Sequence, residues 1–116
     1  MRHFKISEFD SPDEEGSGSK MDKGFLNLLD NIRSDSGVVM KINSGYRTKS
    51  HNEKIGGSPN SSHMKGIAVD VHCTSSVDRK RLIFAALDNG VKRIGVAKTF
   101  IHLDIDNTKI EAIWVY

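Results

Sequence analysis

Apolar residues first become regular at Met21. Phe25, Leu28, Leu29 and Ile32 recur at i, i+3, i+4 and i+7, with Asn27, Asp30 and Arg33 on the opposite side. That spacing predicts an amphipathic helix, ended by the run from Ser34 to Gly37. Val38 to Asn43 is rich in branched residues and predicts a strand. Ile67, Val69, Val71 and Cys73 alternate with Ala68, Asp70 and His72, which predicts a second strand with one apolar face. Ser75 or Ser76 suits the N-cap of a helix from about Val77 to Asn89. Its buried stripe is Leu82, Ile83, Ala86 and Leu87, and Gly90 stands where a left-handed residue closes a helix. Three strands follow: Val91 to Val96 with Gly95 inside it, Phe100 to Asp106, and Ala112 to Tyr116. In the second of these Ile101, Leu103 and Ile105 point inward, with Phe100, His102, Asp104 and Asp106 outward.

Between these elements the chain is loop-like. Phe4 to Asp10 reads as a short extended arm, and Ser11 to Lys20 as a loop of Pro, Gly and Ser. Thr48 to Gly66 reads as a long irregular connection, and loops of that length in a compact domain are usually functional or disordered. The order of elements predicts an α+β fold: a small central antiparallel sheet with two main helices on one side. The sheet is expected to be antiparallel because the last connections are too short for parallel crossovers.

Composition narrows the class. With 116 residues, 37% hydrophobic and 28% charged, the chain suits one globular domain spanning 1–116. No apolar run approaches the roughly 20 residues of a membrane-spanning helix, and the first ten residues lack the core of a secretory signal. Synthesis in the cytoplasm is therefore expected. The net charge is only +2 and the charges are interspersed, which argues against nucleic acid as partner. Cys73 is alone, so no internal disulfide forms. A metal site would have to draw on histidine and carboxylate.

The outward residues of two strands supply such groups. Asp70 and His72 share one face, and His102 and Asp104 share another. His63 lies seven residues before Asp70, about 10.5 Å away on a rigid helix, but the break at Gly66 lets a loop fold it back. Two histidines and one carboxylate make a three-ligand zinc site with a position left for water. Zinc there lowers the pKa of water to about 7 and polarises a carbonyl, and a nearby carboxylate moves the proton.

Ser61-Ser62-His63-Met64-Lys65-Gly66-Ile67-Ala68-Val69-Asp70 resembles the SxHxxGxAxD motif of zinc D-alanyl-D-alanine carboxypeptidases and related peptidoglycan peptidases. Phe100-Ile101-His102-Leu103-Asp104 is similar to their second motif, and Ser44-Gly45-Tyr46-Arg47 to the SGYR element that precedes both. The shortness of the chain looks most like the compact members encoded by phages and prophages. The resemblance implies a Hedgehog-like metallopeptidase fold and Zn2+ as cofactor, with His63, Asp70 and His102 as zinc ligands. It implies Arg47 as the group that orients substrate or steadies an oxyanion, and Ser61 as a substrate-side or supporting hydrogen-bonding residue. The implied substrate is the peptide stem of peptidoglycan, cut next to D-alanine by carboxypeptidase or endopeptidase action, with release to the wall at phage lysis. The sequence sets neither the choice between those two actions nor the oligomeric state.

The chain departs from the family at Thr99. Several branches carry a catalytic carboxylate there, three residues before the last ligand. Asp104 is the expected replacement, with His72 second and Asp106 third. A non-catalytic wall-binding or phage structural module that keeps the fold is the competing reading. His3 and His51 are read as surface or loop residues, Cys73 as a buried thiol, and Trp114 and Tyr116 as packing or sheet-edge residues.

Overall fold

A computed structural model describes all 116 residues. The chain forms three α-helices, α1 (Lys23–Ser36), α2 (Lys49–Lys54) and α3 (Ser76–Asp88). Its five strands are β1 (Ile42–Ser44), β2 (Ala68–His72), β3 (Arg93–Val96), β4 (Phe100–Asp104) and β5 (Ala112–Val115). The architecture is α+β, with one sheet in the order β1-β2-β4-β3-β5.

The two long helices form where the apolar periodicity puts them. Asp22 caps α1 by accepting from the Phe25 N–H, and Gly37 closes it with φ 68°. Ser75 caps α3 through the Asp78 N–H. The buried stripes are Phe25, Leu26, Leu29 and Ile32 on α1 and Leu82, Ala85 and Ala86 on α3. They pack on Val69, Val71, Ile94, Ile101 and Leu103, the apolar face of the sheet. Leu87, expected in the α3 stripe, is exposed instead. The small Ala85 lets the helix settle one position round.

Four expectations are corrected. The sheet is mixed, because β3 and β5 are parallel although every other pairing is antiparallel. The crossover rule concerns strands joined directly, whereas here β4 itself carries the chain back to the start of β3. The loop after β4 then crosses that end to the outer edge. Val38–Met40, with Val38 and Met40 buried and Val39 exposed, belongs to no strand. The first bond to β2 is from the His72 N–H to the Lys41 carbonyl, so β1 begins late. The supposed extended arm holds a 3-10 turn over Ile6–Phe9. The long irregular connection contains α2, capped by Thr48, and a 3-10 turn over Ser62–Lys65.

Candidate metal centre

Backbone register assembles the centre. Asp70 on β2 is the direct partner of His102 on β4, and His102 is the partner of Gly95 on β3. Gly95 in turn faces Trp114 on β5. These residues form one row across the face opposite the helices. His63 arrives from the 3-10 turn, where Ser61 accepts from the His63 N–H at 3.2 Å. Gly66 closes that turn at φ 72°, and a Cβ there would run into the Lys20 carbonyl. The glycine of the motif is therefore required twice, by its dihedral angle and by its close neighbour.

The SGYR element completes the frame. The Gly45 backbone lies against Phe9, where a Cβ would stand 2.7 Å from the Phe9 Cα. Its carbonyl accepts from His63 Nδ1 at 2.9 Å. Arg47 is held by Ser44 Oγ at 3.1 Å and Asn52 Oδ1 at 3.3 Å, and its Nη2 lies 3.4 Å from Asp70 Oδ2. Asn52 is a buried residue of α2, itself fixed by the Ser58 carbonyl at 2.8 Å. Nothing in the residue pattern marks it, because one polar residue in a six-residue helix leaves no periodicity.

Both histidines are committed on their outer nitrogens. His63 donates Nδ1–H to a carbonyl, and its Nε2 faces Asp70 Oδ1 at 3.4 Å. His102 Nε2 lies 2.6 Å from Asp104 Oδ2, and its Nδ1 lies 3.0 Å from the same Asp70 oxygen. One ligand atom from each of His63, Asp70 and His102 falls within 4.8 Å of the others. This convergence fits a divalent cation. Two imidazoles and a carboxylate suit zinc, and each histidine is oriented by an acceptor behind it.

The electrostatics agree. Burial alone would raise the Asp70 carboxyl, yet hydrogen bonds from His102 and His63 hold it well below the usual carboxylate range. Burial alone would lower the His102 imidazole, but Asp104 and Asp70 outweigh it and push it above its ordinary value. Burial also works to raise Asp104, and His102 and the Asp106 N–H hold it down. The pocket is built to hold positive charge between carboxylates.

The remaining expectations divide. His63 and His102 are buried, and Arg47 and Ser61 line the same cleft of about 350 Å3. His72 is exposed and does not line it, so it is poorly placed as a base. Asp104 was expected on the outward face of its strand as the replacement base, and there it is 1% exposed. It lies behind His102, shared with Arg93 Nε at 3.2 Å and the Asp106 N–H at 3.0 Å. This places it to orient His102 rather than to meet a substrate. Asp106 is a buried brace: Ser62 Oγ and Lys65 Nζ both reach its Oδ2, at 2.7 and 2.9 Å. His3 bonds Ser34 on α1, and His51 lies outside the cleft.

The sequence model of the family described as Peptidase M15 matches residues 2–104. The chain belongs to the M15 peptidases. A search among curated proteins found no match. The span matched in this M15 peptidase contains His63, Asp70 and His102 and stops at Asp104, the last residue of β4. Membership of a peptidase family supports a hydrolase. No helix is long and apolar enough to cross a membrane.

Proposed function

We propose that this M15 peptidase is a zinc enzyme that hydrolyses the peptide part of bacterial peptidoglycan at a bond next to D-alanine. The observation that carries the zinc assignment is the convergence of His63 Nε2 and His102 Nδ1 on one oxygen of Asp70, each ring held from behind by an acceptor on its other nitrogen. When bound, zinc supplies an activated water and a polarised carbonyl. The substrate assignment rests on the family and on the SGYR and SxHxxGxAxD motifs.

The chain's own residues then take defined parts. His63, Asp70 and His102 hold the ion, and Asp104 keeps the Nε2 proton on His102 so that Nδ1 remains a ligand. Arg47 stands beside Asp70 with a planar donor pair, suited to a terminal carboxylate or to negative charge developing on the scissile carbonyl. Ser61 acts through the turn that carries His63. Asp70 and Asp104 are the only carboxylates lining the cleft. With Asp70 a ligand, the other carboxylate of the cleft is Asp104, and it is engaged by His102, Arg93 and the Asp106 N–H.

The close engagement of Asp104 favours a second reading, a wall-binding module that keeps its metal but turns nothing over. Metal analysis with digestion of purified muropeptides separates the two. Zinc at one equivalent with release of D-alanine or cleaved cross-links is the expected result, and zinc without turnover overturns the enzyme reading. His63→Ala should abolish both metal content and activity.

A further inference from the structure

The M15 match ends at β4, yet the cleft continues onto β5. Gly95 has no side chain, and the Trp114 indole fills the space; a Cβ at Gly95 would stand 2.7 Å from two indole carbons. Through that gap the Trp114 ring comes to 5.4 Å from the His102 ring, with the Arg93 guanidinium 4.7 Å over it. One row further along the same face, Tyr116 lies 5.1 Å from Phe100 and 6.2 Å from Trp114, between ring centroids. Tyr116 is 68% exposed although it belongs to this cluster, and all three rings line the cleft.

The strand order fixes which side this is. From β1 to β5 the face carries Arg47 beside Asp70, then the ligand pair Asp70 and His102, then the space over Gly95 filled by Trp114. The metal position thus has Arg47 on one flank and an aromatic strip on the other, where Arg93 is already engaged by Asp104 and the Ile110 carbonyl. A peptide with its scissile carbonyl at the metal must extend along both flanks. A leaving residue that ends in a carboxylate suits Arg47, and the acyl side then meets the rings.

We propose that Phe100, Trp114 and Tyr116 form the subsite for the residue on the acyl side of the scissile bond, with Tyr116 and Phe100 its contact surface. Trp114 is the platform that seats them and packs against His102. An uncharged backbone with a small apolar side chain, lying flat on the two rings, is the chemistry this surface takes. The subsite rests on the zinc peptidase reading above, and it makes β5 part of the specificity of the site.

The test uses the zinc-loaded full chain and two hydroxamates, which anchor on the metal whatever the natural substrate is. Acetohydroxamate reaches the ion alone, and an N-acylated alanine hydroxamate also extends along the acyl side. Binding is followed by the fluorescence of Trp114, the sole tryptophan of the chain. Tyr116→Ala and Phe100→Ala should each weaken the alanine hydroxamate about tenfold, as expected for losing one buried ring contact, and leave acetohydroxamate unchanged. Tyr116→Phe should restore the affinity. Undiminished binding of the longer ligand by both alanine variants overturns the subsite while the zinc reading stands, and so does equal loss for both ligands. No zinc-dependent binding of either hydroxamate by the unaltered chain overturns subsite and zinc reading together. Intact muropeptides alongside the expected hydroxamate pattern overturn only the peptidoglycan substrate.

Discussion

His63 and His102 reach one oxygen of Asp70 with different ring nitrogens because each has its other nitrogen committed to an acceptor. A carbonyl behind His63 is fixed by the backbone and cannot be mutated away, whereas the acceptor behind His102 is a side chain. Replacing Asp104 by Ala removes it and also leaves Arg93 Nε without its partner. Zinc affinity should fall about 10- to 100-fold, measured by competition with a chelator, as for other residues that orient a ligand. Gly95 offers an independent probe. Gly95→Ala must displace the indole, so the fluorescence of Trp114 should shift even without metal, and zinc affinity should weaken as His102 loses its neighbour. An unchanged spectrum would mean that the indole does not fill this space.

At the scale of elements, β2 and β4 were legible because period-two alternation placed Asp70 and His102 on polar faces of two apolar strands. The register that makes them direct partners was not legible, since it depends on long-range pairing. The two faces also differ from a plain wet side. Asp104 and Asp106 alternate outward as expected, yet both are buried beneath the turns that carry His63 and the chain after β4. Sequence pattern separates the faces of a strand but does not show what lies over each. α2 escaped notice because Thr48, Ser50 and Asn52 carry turn chemistry, and a six-residue helix has too few positions to display a stripe. Asp106 shows how these irregular parts are tied together. Burial would raise its carboxyl, but Thr108, Ser62 and Lys65 hold it well below the ordinary range. Asp106→Ala should loosen the His63 turn and the loop after β4 together. Amide exchange at Ser62–Lys65 and at 105–111 should rise, with α1 and α3 unchanged.

For the molecule as a whole, the same groups set a pH dependence. His102 is raised above its ordinary value of 6.5, so its contribution to folding is present below that value and is lost as pH rises through the raised one. Asp70 and Asp104 are lowered from 3.8, so their contribution is present above that value and is lost as pH falls through the lowered ones. The metal-free protein should therefore be most stable at mildly acidic pH. Its thermal midpoint should decline as the pH rises above 6.5 and through the raised value of His102. With zinc the alkaline decline should vanish, since the ion takes the place of the proton on His102 and binding adds stability in proportion to occupancy. A flat alkaline limb without metal would show that His102 is not the group responsible.

The direct pairing of Asp70 with His102 has a consequence for how the chain finds its alignment. If β2 slid along β4 by one position, the alternating pleat would turn one of the two donors toward the helices. Only the correctly matched strand neighbours can share a cation. An ion captured during folding would therefore act as a clasp that rewards the true alignment and leaves shifted ones unrewarded.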